Sequence, residues 1–323
     1  MAYNLVLMRK ALFAIVVAGL ASCINPGGQI YYDYPHSATD SLEVPGTIWH
    51  MEASGGLLIV LFRDSLNQWK IGFYDASDLS VIALISPGHD NLEFSDAVMA
   101  PGRLYMSFAG PTSDTCYMVM VDIPAHSLAG EFALPGRADW GPMAMGPAAI
   151  YHLEDSTGRL YKMDILTGDV TETQSSVKPT AVGGMLYLQG YYLFATDLAG
   201  NTLYRMDEDG TVLARWGVDQ FPGKIAWDGY RVLLTAKPGL CPVSPNTGKL
   251  PTVILANVGA IAISPDTELI LAGYQDGVAS VSVDGLEMLG TARTPFPVNL
   301  VAAAGHAKAF ATARGKSKIY LLE

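Results

Sequence analysis

One short pattern recurs seven times along this chain, and such a repeat restricts the fold more than any single motif. An apolar stretch ends in a polar residue and runs into a turn. It reads Gly72-Phe73-Tyr74-Asp75, Val119-Met120-Val121-Asp122, Tyr161-Lys162-Met163-Asp164, Tyr204-Arg205-Met206-Asp207 and Ser280-Val281-Ser282-Val283-Asp284, with weaker copies ending at Ser244 and Glu323. The copies follow one another at 47, 42, 43, 37, 40 and 39 residues. A period of about 41 residues is the length of one propeller blade.

A second apolar strand precedes each copy in constant phase, introduced by turn residues. Examples are Gly55-Gly56 before Leu57–Phe62, Pro101-Gly102 before Leu104–Met106, Gly190 before Tyr191–Phe194, Gly229 before Arg231–Leu234 and Pro265-Asp266 before Leu269–Leu271. Gly, Pro and Asp supply the backbone angles of tight turns. Downstream, Thr167-Gly168-Asp169-Val170 and Asp209-Gly210-Thr211-Val212 close hairpins into a fourth strand. The reading is all-β: a seven-bladed β-propeller of four-stranded antiparallel blades. The fifth unit, with Pro238, Cys241-Pro242 and Pro245, is irregular.

The seventh unit stops at Leu321-Leu322-Glu323, the end of its third strand. The segment Asp40–Gly46 looks like the fourth strand and corner of the other units, such as Leu84–Gly88 and Leu134-Pro135-Gly136. The N-terminal strand is therefore expected to complete the last blade, which removes an open sheet edge. The units resemble those of NHL, YVTN and PQQ-like propellers, Tyr161–Val170 and Tyr204–Trp216 most of all. The resemblance covers about 37–323 and selects no subfamily.

The first residues resemble something else. Arg9-Lys10 precedes an apolar run, Ala11–Leu20, and then Leu20-Ala21-Ser22-Cys23. A basic start, a short apolar core and small residues at a cut site make an export signal. The run is too short to span a bilayer, which takes about 20 apolar residues. The cysteine makes it similar to a bacterial lipoprotein signal, with either Met1 or Met8 as the start. That resemblance implies residues 1–22 as signal peptide, lipidation at Cys23 with acyl chains such as palmitate, a tether over 23–36 and the propeller over 37–323. It implies an exported protein anchored to a membrane by lipid. Ile24, where an Asp would favour inner-membrane retention, points to the outer membrane if the cell has two.

Half of the residues are hydrophobic and 16% are charged, which suits a globular core. The formal charge is −11, or −13 once Arg9 and Lys10 are removed. Without a basic cluster, a nucleic-acid partner is not expected, because such binding rests on Lys and Arg. Cys116 and Cys241 fall three blades apart in the repeat register and are expected to stay unpaired.

Motifs for chemistry are sparse. His50-Met51-Glu52 and His152-Leu153-Glu154 each put His and Glu on one side of a strand, but two ligands do not make a zinc site, and a strand-edge pair is the expectation. Gly315-Lys316-Ser317 lacks the earlier glycine of a phosphate loop and sits in a hairpin. Asp207-Glu208-Asp209-Gly210 reads as a β-turn. Propellers that bind or catalyse do so at one mouth of the channel, so the innermost strands and their preceding loops hold the candidates: Trp49, Asp96, Asp139, Trp140, Lys224, Trp227 and Asn299. Sugar-lactone lactonases resemble this architecture, and Asp96, Asp139 and Asn299 are what the chain offers toward their calcium site. The Gly-Lys-x-x-Trp fingerprint of quinone dehydrogenases is absent. The expected function is a non-catalytic binding or scaffold module of the cell envelope, a monomeric propeller without cofactor or metal, with an envelope protein or glycan as partner. The alternative is a calcium-dependent hydrolase or lactonase at the channel.

Overall fold

A computed structural model describes residues 34–110, 116–134, 141–190, 192–255, 257–305 and 307–323. The signal segment, Cys23, Asp139, Trp140 and His306 lie outside the described residues. The described chain forms seven antiparallel sheets, the blades of a β-propeller. Blade 1 is Gly46–Ser54, Leu57–Asp64, Trp69–Asp75 and Val81–Ile85. Blade 2 is Glu93–Ala100, Arg103–Ala109, Cys116–Asp122 and Ser127–Leu134. Blade 3 is Met143–Met145, Ala149–Leu153, Arg159–Asp164 and Val170–Gln174. Blade 4 is Val182–Leu188, Tyr192–Asp197, Thr202–Met206 and Val212–Gly217. Blade 5 is Ile225–Trp227, Val232–Ala236, Gly239–Ser244 and Gly248–Lys249, with Val253–Ile254 also pairing its third strand. Blade 6 is Ala260–Ile263, Leu269–Tyr274, Gly277–Ser282 and Met288–Arg293. Blade 7 is Leu300–Ala303, Ala309–Thr312 and Lys318–Leu322, completed by Ala38–Glu43.

That last pairing is the expected closure: Ser41 faces Tyr320 and Leu42 faces Ile319. The backbone N–H groups of His36 and Ser37 donate to the carbonyl of Glu323 at 3.2 and 3.1 Å. The compact unit starts at Tyr34. The ring of Tyr34 lies on Gly290 in the outer strand of blade 6, where an added Cβ would sit 2.4 Å from it.

Why the middle strands read as unbroken apolar runs follows from where they point. Side chains alternate between faces, and each blade has a neighbour on both. In blade 1, Leu58, Val60 and Phe62 pack toward blade 7, while Ile59 and Leu61 pack toward blade 2. The core is thus a set of wedges, one between each adjacent pair of blades. The repeated Asp ends the third strand because its carboxylate caps the turn. Asp164 accepts the N–H groups of Leu166 and Thr167 at 2.8 and 2.9 Å, and these bonds hold its pKa below the usual carboxylate value. Asp75, Asp122 and Asp207 cap in the same way.

The irregularity of blade 5 has a local cause. The carbonyl of Pro242 accepts from Leu250 N–H at 2.9 Å, on the fourth-strand side. The N–H that would answer it on that side is missing in proline. The outer strand accordingly splits into Gly248–Lys249 and Val253–Ile254 around that point. Cys241, beside it, and Cys116 in blade 2 are buried thiols.

Candidate functional site

The innermost strands pair on one edge only, so their other edges line the channel with backbone donors and acceptors. The two mouths differ. On the face where innermost strands end, a cavity of about 40 Å³ is walled by small residues such as Ala53, Ser54, Gly55, Ala303 and Ala304. On the face where they begin, called here the entry face, a cavity of about 240 Å³ draws residues from all seven blades. Its polar members are His50 and Glu52 from blade 1, Asp96 from blade 2, Lys224 before blade 5, Asn299 before blade 7, and Arg314 from the loop between the second and third strands of blade 7.

Asp96 is set by a bulge. Pairing in blade 2 steps from Phe94 to Asp96, and such a step re-aims the side chains beside it. Buried at 7% exposure, the carboxylate has both oxygens engaged. Oδ2 accepts the Met143 N–H of blade 3 at 2.9 Å, and Oδ1 lies 3.3 Å from Nζ of half-exposed Lys224. Blades 2 and 5 are three apart in a ring of seven, so this pair crosses the mouth. Lys224 approaches because blade 4 is cut back to glycine beside it: a Cβ on Gly184 would meet the Gly223 carbonyl at 2.6 Å.

Blade 1 carries the equivalent bulge between Ile48 and His50. His50, at 9% exposure, places Nε2 at 3.3 Å from Glu52 Oε1 without the alignment of a hydrogen bond. Trp49 packs edge-on against Trp69 at 5.7 Å, and its buried indole N–H has no acceptor among the described residues. The Arg314 guanidinium lies 5.9 Å from the Trp49 ring centre. Asn299 fixes the loop that carries Arg314, because its Oδ1 accepts the Arg314 N–H at 2.7 Å. Among the described residues, no group of three His, Cys, Asp or Glu is placed to hold a metal ion.

Three sequence candidates thus meet at the entry mouth: Asp96, Lys224 and Asn299. Trp49 sits beside it, under Arg314. Trp227 is elsewhere, at the far end of its strand, packed against the apolar wedge between blades 4 and 5. Asp139 and Trp140 lie outside the described residues. The pair expected at a strand edge, His50 and Glu52, lines the cavity instead. His152 is buried at 2% exposure, with Nδ1 3.1 Å from the Pro142 carbonyl, and serves packing. Arg314 had a sequence signal only in the hairpin turn that follows it.

The entry face also displays Phe221, 59% exposed and held at φ +55°. A non-glycine residue in that region is strained, and it is kept there by its N–H donating to Asn201 Oδ1 at 3.1 Å. The Lys237 ammonium lies 5.9 Å from its ring.

No family model matches the sequence, and no curated protein is significantly similar to it. Solved structures share its architecture widely, with 1071 matching chains, so the fold by itself selects no activity. One of them is the crystal structure of Chaetomium thermophilum Raptor, with a TM-score of 0.73 at 12% identity. The match covers 94% of this chain and 30% of the Raptor chain, and establishes the propeller fold alone.

Proposed function

We propose that this chain is a non-catalytic binding module of a bacterial cell envelope, anchored by lipid on Cys23, and that it works through the entry face. One observation carries the reading: the entry mouth holds a cavity to which all seven blades contribute and which several charged side chains line, whereas the cavity of about 40 Å³ where innermost strands end is lined from blades 1, 6 and 7, mostly by small residues. A rigidly displayed aromatic, Phe221, on the same face suits an envelope protein or glycan as partner. The attachment point agrees. The strand Ala38–Glu43 starts beside Leu322, on the side away from the entry face. Between Cys23 and Tyr34 the chain reaches at most about 40 Å, so a propeller held at Cys23 leaves its entry face the freer of the two.

The alternative, a calcium-dependent hydrolase or lactonase, rests on Asp96, Asp139 and Asn299, of which Asp139 lies outside the described residues and the other two already have partners. Asp96 has both oxygens engaged and Asn299 Oδ1 holds a backbone N–H.

The test is photo-crosslinking from Leu66 and Phe221 with the native protein in its own membrane. A stoichiometric envelope partner captured from these entry-face positions, and release of Cys23→Ser from the membrane fraction, support the proposal. Labelling no different from that at Leu166 and Tyr230, on the opposite face, overturns the entry-face assignment. An unchanged membrane fraction for Cys23→Ser overturns the anchor.

A further inference from the structure

The cations of the entry mouth are not equivalent. Lys224 is committed to Asp96. Arg314 is exposed and pairs with no carboxylate among the described residues, yet it is not loose. Its backbone is fixed by Asn299 Oδ1 at 2.7 Å and its guanidinium lies over Trp49. Beside it, among the described residues, the buried Trp49 indole N–H has no hydrogen-bond partner, and buried His50 Nε2 has only the poorly aligned Glu52 carboxylate at 3.3 Å. Buried polar groups are nearly always satisfied, by protein, water or ligand. His50 is nine-tenths buried and lines the cavity itself.

We infer that the entry mouth is a binding site for a small polar molecule carrying one carboxylate, which Arg314 receives. The inference rests on the entry-face reading and names what the mouth takes. The guanidinium fork matches a carboxylate with two parallel hydrogen bonds. The charge of Asp96 is already offset by Lys224, so a single negative charge enters without facing an open acid there. Glu52, 3.3 Å from His50 on the same wall, repels any anion, and a phosphate, with up to two charges against one unpaired cation, suffers more of it than a carboxylate. A cavity of about 240 Å³ has room for a small organic molecule rather than a single water, and short hydroxy, keto or amino acids suit it.

The experiment uses the full-length protein, with acetate, lactate and glycine as probes and inorganic phosphate as competitor, at fixed ionic strength. Broadening of the probes' proton resonances reports binding. Wild-type protein broadens at least one carboxylate probe, Arg314→Gln weakens that binding about tenfold, and Arg215→Gln on the outer strand of blade 4 leaves it unchanged. No broadening by wild-type protein, equal broadening by Arg314→Gln, or displacement by phosphate at matched concentration overturns the inference. Should Arg314→Gln fail to fold, Arg314→Lys keeps the charge without the fork, and equal affinity for that variant is the overturning result. Partner capture at Phe221 separates the two readings. Its persistence alongside a negative result here removes only the carboxylate site, and its loss in wild-type protein removes the entry-face reading.

Discussion

At Asp96 a buried carboxylate does two things at once: it receives a backbone N–H from the next blade and it pins Lys224 across the mouth. The second bond engages a half-exposed ammonium and adds little stability, while the first is out of water. Asp96→Ala, which orphans the Met143 N–H, is expected to cost about 1–3 kcal/mol in urea unfolding, and Asp96→Asn, which can still accept it, less. Cys241 gives a pH prediction. Burial, above all, pushes its thiol up to about 11 from an ordinary value of 9.0. The folded form keeps its proton where the unfolded form has lost it, so the contribution is whole below pH 9 and disappears as pH rises to 11. It amounts to about 3 kcal/mol at most. Unfolding curves of wild type and Cys241→Ala should therefore converge across that window, and native Cys241 should resist thiol reagents until urea is added. At this scale the sequence was only partly legible. Asp96, Lys224 and Asn299 could be placed because Lys224 and Asn299 directly precede innermost strands and Asp96 lies in the first half of one. Trp227 opens nothing: its strand is three residues long, and it sits at the other end. Arg314 reaches the mouth from a neighbouring loop, a proximity that no spacing encodes.

Strands and turns were far more legible, because each carries its own physical signature. Middle strands are apolar on both faces, and the third strands of blades 1 to 4 run into an Asp that accepts the turn N–H groups, a place taken by Ser244 and Ser282 in blades 5 and 6. The splitting of the outer strand in blade 5 was visible only as prolines, since the side on which Pro242 lacks its donor depends on register. Glycine at the start of the third strands of blades 5 and 6 is a requirement of close approach. An added Cβ would meet the carbonyl of Val253 at 2.0 Å at Gly239, and that of Ala292 at 2.0 Å at Gly277, both at positive φ. Gly277→Ala is expected to lower stability by more than about 1 kcal/mol, with a lower thermal midpoint as the measure. Deleting residues 34–43 removes the pairing partner of Lys318–Leu322. The exposed edge should lower the midpoint further and drive concentration-dependent aggregation, read by light scattering.

Across the whole molecule, the seven wedges between blades make the ring its own brace, and the charged side chains that line the channel gather toward one of its two ends. The repeat told of the ring from sequence alone, because a 41-residue period leaves few other solutions. Where the charged side chains gather was hidden, since it depends on residues converging from several blades at one end of the channel. Closure has one more consequence. Ser37 and Glu323 exchange backbone hydrogen bonds in both directions, at 3.1 and 3.0 Å, so the two ends are a peptide or two from being joined. The polypeptide is a circle with a nick. Joining 323 to 37 through a two-residue turn and reopening the chain at the exposed turn after Leu166 should give a circular permutant with the same strand content and a thermal midpoint close to that of the parent propeller. In such a ring the nick's position is free as far as folding is concerned, and what it decides is the point on the rim from which the rest of the chain departs.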